Sequence, residues 1–274
     1  MNTIARLKRA NHGTHFRALT LRDSIPASID PFLGVDHAWM SAPTFPPHPH
    51  AGFSAVSYVF LDSETGITNR DSLGNHNLIL PGGLHWTAAG RGVVHEEIPA
   101  EQGKTVHMLQ IFVNLPQSRQ EEAPFMLSLA PQDVPVIQRP GVRIRVPLGH
   151  FAQTVSPLEI PNDVTLLDIS LDKGAELNVT LAAGSNGFVL PVFGELCIDD
   201  RPFRIDELQV PLFLAGDTPR TIRLQAKQDK TKAVVFSGQP LTQPVYWLGP
   251  LALASKEALA DAAAAYQRGE FGAL

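Results

Sequence analysis

The 274-residue chain has a single cysteine, Cys197, which excludes an internal disulfide framework and fits a reducing, cytoplasmic compartment. It has no surplus of positive charge. With 22 Lys and Arg against 27 Asp and Glu the formal net charge is −5 and the pI about 6.0, so no electrostatic footprint for nucleic acid or an anionic membrane is present. No run of about 18 apolar residues occurs, which argues against a membrane-spanning helix. The N-terminal MNTIARLKRANHG is not followed by an apolar core of signal-peptide length. Histidine is concentrated in the first half: nine of the ten lie between His12 and His107, and only His150 falls later. A histidine-ligated metal is therefore expected in the first half alone.

Hydrophobic residues make up 44% of the chain and charged residues 18%, the balance of an ordinary globular protein. Short apolar segments such as HFRALTLR, FSAVSYVF, HMLQIFVNL, TLLDISL, AELNVTL and GFVLPVF are broken by Gly, Pro and Asx. That punctuation predicts an all-β sandwich or barrel rather than βαβ units. One helix is expected, in SKEALADAAAAYQR, with Ser255 capping its start and Gly269 ending it. The proline-rich stretch from Pro116 to Pro140 reads as a connection between two β domains, 1–130 and 131–274. A weak internal repeat, FSAVSYVF to NLILPGG against GFVLPVF to PLFLAGD, supports a duplicated barrel. In the second copy Val189, Pro191, Phe193 and Cys197 are expected to fill the interior.

Four candidate metal ligands sit in two pairs, His48-Pro-His50 and His95-Glu-Glu97. Residues two apart on a strand share a face, so each pair can aim both members into one site and leave Glu96 on the other face, in solvent. Three imidazoles and a carboxylate leave coordination positions open. They suit Fe(II), Mn(II), Ni(II), Cu(II) or Zn(II), and the absence of a thiolate argues against an iron–sulfur site. Glu97 has a second candidate role, as a base for a substrate hydroxyl. His85 and His107 are candidates for positions behind the ligands, with an ordinary buried histidine the simpler reading of His107. Gly82-Gly83 and Gly90-Arg-Gly92 open no helix and read as turns, not phosphate cradles.

In order along the chain, PFLGVDHAWM, FPPHPHAGFSAVSYVF, RDSLGN, PGGLHWTAAGRGVVHEEIP and HMLQIFVNLP resemble the pirin family of the cupin superfamily, as does the tail QPVYWLGPLALASKEALADAAAAYQRGEFG. The resemblance implies a bicupin: two antiparallel β-barrels packed face to face, with one mononuclear metal in the first. The ligands it implies are His48, His50, His95 and Glu97, and the metal it favours is iron. Ser54, Asn69 and His85 depart from the residues common in that family and put the substrate, rather than the metal, in question. Some bacterial pirins resemble quercetin 2,3-dioxygenase, which implies a metal-dependent dioxygenase acting on a flavonol with O₂. On that reading Glu97 accepts the 3-hydroxyl proton, and Phe45, Pro46 and Phe53 line an apolar entrance. The alternative implied by eukaryotic pirins is a non-enzymatic, metal- or redox-responsive regulatory protein with a protein partner, of the transcriptional coregulator type.

Overall fold

A computed structural model describes residues 3–22 and 26–274. The chain folds into two halves, each made of one seven-stranded and one four-stranded sheet, and every pairing between these strands is antiparallel. In the first half the larger sheet runs, in spatial order, through Phe125–Leu129, Leu84–Ala88, Phe53–Val59, Val106–Asn114, Phe32–Met40, Phe16–Leu21 and Lys8–His12. In the second it runs through Thr3–Arg6, Gln209–Phe213, Asn186–Phe193, Thr231–Gly238, Val164–Leu171, Val142–Leu148 and Val136–Arg139. The connectivity matches position for position apart from the first strand of each list. The barrel is duplicated, and FSAVSYVF and GFVLPVF occupy its equivalent strands, but the second half of the sequence repeat is one strand out of step: NLIL lies in His76–Ile79 of the four-stranded sheet, whereas PLFL lies in Gln209–Phe213, the counterpart of Leu84–Ala88. The two copies exchange their ends: Thr3–Arg6, at the start of the chain, pairs with Gln209–Phe213 of the second copy.

The two seven-stranded sheets pack face to face, and strand alternation explains how. Along Phe53–Val59, Val56 and Tyr58 join an apolar layer with Trp86, Leu109 and Ile111, and from the other half Leu166, Phe188, Leu190, Leu212 and Phe236. The intervening Ser57 and Val59 face the interior of the first barrel instead. Such a strand is buried on both faces, which is why FSAVSYVF reads as a continuous run. Within the shared layer the Tyr58 hydroxyl donates to Asp168 (2.7 Å), whose other oxygen meets Lys232 (2.8 Å).

The second barrel is filled by Ile144, Leu167, Val179, Val189, Phe203, Phe213, Ile222 and Val235. Val189 and Pro191 are buried as expected; Cys197 is buried too, but on the face opposite Leu196 and Ile198, the residues that join the barrel core, and Phe193 is 58% exposed. A register irregularity between Pro191 and Phe193 breaks the alternation and turns Phe193 outward. The proline-rich connection is also more ordered than expected. It contains the edge strands Phe125–Leu129 and Val136–Arg139, one for each large sheet, and prolines beside edge strands disturb no ladder. The C-terminal helix, Lys256–Gln267, starts at Ser255, whose side chain accepts from the Ala258 amide. No helix of the described chain is long and apolar enough to cross a membrane.

Removing the buried hydroxyl of Tyr58 takes one donor from Asp168 and leaves that carboxylate to Lys232. Tyr58→Phe is expected to lower stability by about 1.5–3 kcal/mol, the scale of a hydrogen bond to a charged group, measured by denaturant unfolding. A loss below about 0.5 kcal/mol would mean that this contact does not hold the halves together.

Candidate metal centre

The four-stranded sheet of the first barrel carries the site. Its order is His48–His50, Val93–Pro99, Ile67–Asp71, His76–Ile79. His48–His50 is an edge strand, so Pro49 can sit in it without costing a ladder hydrogen bond. The antiparallel register sets His95 directly across from His48 and Val93 across from His50. Directly opposed residues on one face come within side-chain reach, and His50 is the next residue on that face. One register thus gathers three imidazoles from positions 45 residues apart in sequence. Every pair of their ring centroids is 4.8 Å apart, and one nitrogen from each lies within 4.8 Å of the others.

Backbone carbonyls fix which nitrogens are available. The Nδ1–H of His48 donates to the Pro46 carbonyl (3.0 Å), and that of His50 to the Pro250 carbonyl (3.3 Å). A neutral ring that donates from Nδ1 keeps its lone pair on Nε2. Burial pushes the pKa of His50 down to about 3 and lowers those of His48 and His95, so all three rings are neutral at pH 7. Neutral, convergent, pre-oriented imidazoles are the donor set that a divalent transition ion requires. The residues fit a metal.

Glu97 shares the face and the cavity but not the cluster. It stands one alternation beyond His95, opposite Asn69, and Ser57 Oγ lies 2.8 and 2.7 Å from its two oxygens. Ser57 Oγ is also 3.1 Å from the amide oxygen of Gln110. Although Glu97 borders the cavity, surrounding protein desolvates it enough to push its pKa up to about 7, against the smaller opposing effect of Ser57. A protonated Glu97 can donate to Ser57 while Ser57 donates to Gln110, so the trio accommodates either charge state.

These groups open onto a cavity of about 410 Å³, walled by Phe16, Met40, Phe45, Met108 and Phe112, with Thr20 and the paired Arg22 and Asp36 as further polar lining. Phe45 lines the cavity as expected. Phe53 does not: it is buried behind His50, with ring centroids 5.0 Å apart. Pro46 contributes its carbonyl to His48. Glu96 points away and pairs with Arg70 (2.8 Å). His85 lies inside the barrel across from Ser57, hydrogen-bonded to Ser128 (2.8 Å), with its pKa lowered by burial to about 4. His107 faces the other half and is a structural histidine there, bonded to Asp62 (3.0 Å) and His37 (2.7 Å) and stacked on Trp39. A larger cleft between the barrels, about 730 Å³, is lined by His107 and Trp39 and lies away from the triad. Sequence reasoning missed Ser57, Gln110 and Pro250. The strand alternation of FSAVSYVF could have flagged Ser57; nothing in the sequence flagged a carbonyl 200 residues from His50.

Two outcomes follow from this geometry. His50→Ala or His95→Ala is expected to abolish most metal uptake, measured by elemental analysis after dialysis, and full content in either variant would contradict a shared site. In the metal-free protein, Glu97 has a folded pKa near 7 against an ordinary 4.5. Because that pKa is raised, the unfolded chain loses this proton first, and stability falls as pH rises from 4.5 towards 7. Glu97→Gln lacks that ionisation and should be more stable than wild type at pH 8 by on the order of 2 kcal/mol, allowing for water in the cavity, with little difference at pH 4. Equal stability at both pH values would contradict the raised pKa.

Comparison with known proteins agrees with this architecture. The pirin family model matches residues 11–113, and the model of the pirin C-terminal cupin domain matches residues 166–272. A Pseudomonas aeruginosa protein named "Putative quercetin 2,3-dioxygenase PA2418" is 31% identical, covering 94% of this chain and 92% of its own length. Pirin of Rattus norvegicus is 31% identical over 85% of this chain and 80% of its own. The crystal structure of quercetin 2,3-dioxygenase from Acinetobacter baumannii superposes with a TM-score of 0.87 at 26% identity, covering 99% of this chain and 97% of that one. Two barrels in matching order, a histidine triad in the first, and family models that match both halves make this chain a member of the pirin family.

Proposed function

We propose that this chain is a metal-dependent dioxygenase that uses O₂ to open a flavonol such as quercetin. The observation that carries the reading is the placement of Glu97, a carboxylate with a pKa near 7, in the same apolar cavity as three neutral imidazoles. A general base works best when its pKa is close to the working pH. His48, His50 and His95 hold the ion, with Fe(II) favoured and Mn(II), Ni(II), Cu(II) or Zn(II) compatible with the same donors. When bound, the ion supplies Lewis acidity towards a substrate oxygen and the electron chemistry that O₂ requires.

The chain's own residues supply the rest. The cavity, about 410 Å³, is within the range of small-molecule sites, and its Phe and Met walls suit flat aromatic rings. Glu97 takes the proton of an enolic hydroxyl held next to the triad, and Ser57 with Gln110 holds the carboxylate through that change of charge. The names of the Pseudomonas and Acinetobacter relatives support the substrate class.

The reading is tested by loading the protein anaerobically with Fe(II), adding quercetin and then O₂, and following the flavonol absorption band. Wild type should consume the flavonol. Glu97→Gln should keep its metal on the triad and lose about 10²-fold or more in turnover, the scale of general-base catalysis. Metal-loaded wild type that consumes no flavonol would overturn the enzyme reading and favour a regulatory protein. A fully active Gln variant would overturn the role of Glu97 alone.

A further inference from the structure

The tail that follows the second barrel does not stay with it. Residues 246–272 return to the first barrel and cover both strands that carry the triad. Leu251 forms a bridge with Ala51, and the Ala252 amide donates to the Ala51 carbonyl (3.1 Å). The Pro250 carbonyl accepts from His50 Nδ1. At the other strand, Ser72 Oγ donates to the Phe271 carbonyl (2.5 Å) and accepts from the Val94 amide (3.0 Å), next to His95. Leu251, Leu253, Leu259, Ala262 and Phe271 close over Ala51 and Val94 in one apolar cluster. Two glycines make the approach close enough. A Cβ at Gly52 would fall 2.0 Å from the Ala252 carbonyl oxygen, and one at Gly92 would fall 2.2 Å from the Phe271 ring.

A buried side chain fastens this contact. The Gln120 amide nitrogen donates to the carbonyls of Gly52 (3.1 Å) and Leu115 (3.1 Å), and its oxygen accepts from the Ala254 amide (2.9 Å). One residue of the inter-barrel connection thus ties the segment just after His50 to the segment just after Pro250. Gln120 is 3% exposed, and it also holds its own segment through Leu115 and Asn114.

We propose that residues 246–272 act as a clamp that sets His50 for metal binding, with Gln120 as the positioning residue that locks it; this rests on the triad being a metal site. Held by the Pro250 carbonyl, the His50 ring is confined to the Nδ1–H tautomer and presents its Nε2 lone pair to the cavity. Released from that carbonyl, the ring would sample both tautomers and other orientations, and the ion would bear the cost of reordering it. Loss of a partner behind a ligating histidine commonly costs 10–100-fold in metal affinity.

The test compares wild type with Gln120→Met, which keeps the length and bulk of the side chain and removes its hydrogen bonds. Two readouts are taken: the His50 tautomer in metal-free protein by nitrogen-15 NMR, and affinity for Co(II) alone by titration. The clamp predicts a single Nδ1–H tautomer in wild type, a mixture in the variant, and about a 10–100-fold weaker Co(II) affinity with an unchanged circular dichroism spectrum. An unchanged tautomer or an unchanged affinity in the variant overturns the proposal. If Gln120→Met does not fold, Ser72→Ala loosens the other end of the tail and is read in the same way. Wild type that takes up no Co(II) overturns the metal reading instead, and the tautomer measurement then decides the clamp on its own.

Discussion

Desolvation of three imidazoles on one barrel wall is the constraint around which the first half is organised. In water each ring would carry a proton for part of the time near pH 6.5 and repel a cation. Inside the barrel that charged form is disfavoured, most strongly for His50 and His95. The rings stay neutral, and close approach of three like groups, which would be costly if they were charged, becomes tolerable. Burial alone leaves each ring free to choose its tautomer; the carbonyls of Pro46 and Pro250 make that choice for two of them.

The same desolvation acts in the opposite direction on Glu97. A carboxylate in this cavity is pushed towards its neutral form, while the imidazoles beyond it are kept neutral. Near neutral pH the formal charges in the cavity are the Arg22–Asp36 pair and a partly ionised Glu97, so a divalent ion entering it would be the largest local charge. Ser57 partners Glu97 in either state: its hydroxyl donates to the ionised carboxylate, and accepts from the protonated one while donating to Gln110 instead.

Among the described residues the duplicated barrels differ in what fills them, and the histidine cluster belongs to the first. The two copies share strand order, but the interior positions of the second are taken by Ile, Leu, Val and Phe, and its strands contain no histidine apart from His150 in a short outer pair. An apolar interior costs nothing in desolvation and packs densely. The second copy supplies the first with an apolar partner face, with the Asp168–Lys232 pair that meets Tyr58, and with a tail that closes behind His50. Its contribution to the site is mechanical rather than chemical.

Much of this was legible in the residues. Period-two alternation alone places His48 with His50 and His95 with Glu97, and the scarcity of later histidines assigns the site to one half. The helix cap at Ser255 and the duplicated strand pattern follow from local propensity in the same way. Phe193 and Phe53 depart from expectation because a register irregularity and an edge-on contact behind His50 are set by neighbouring strands, not by their own segments. What only the tertiary structure decided is the register that sets His48 across from His95, the partner that holds Glu97, and the carbonyl of Pro250 behind His50. The reason is physical: alternation is a property of one strand and is written in a few adjacent residues, whereas register, desolvation and tautomer depend on atoms that reach the site from distant parts of the chain.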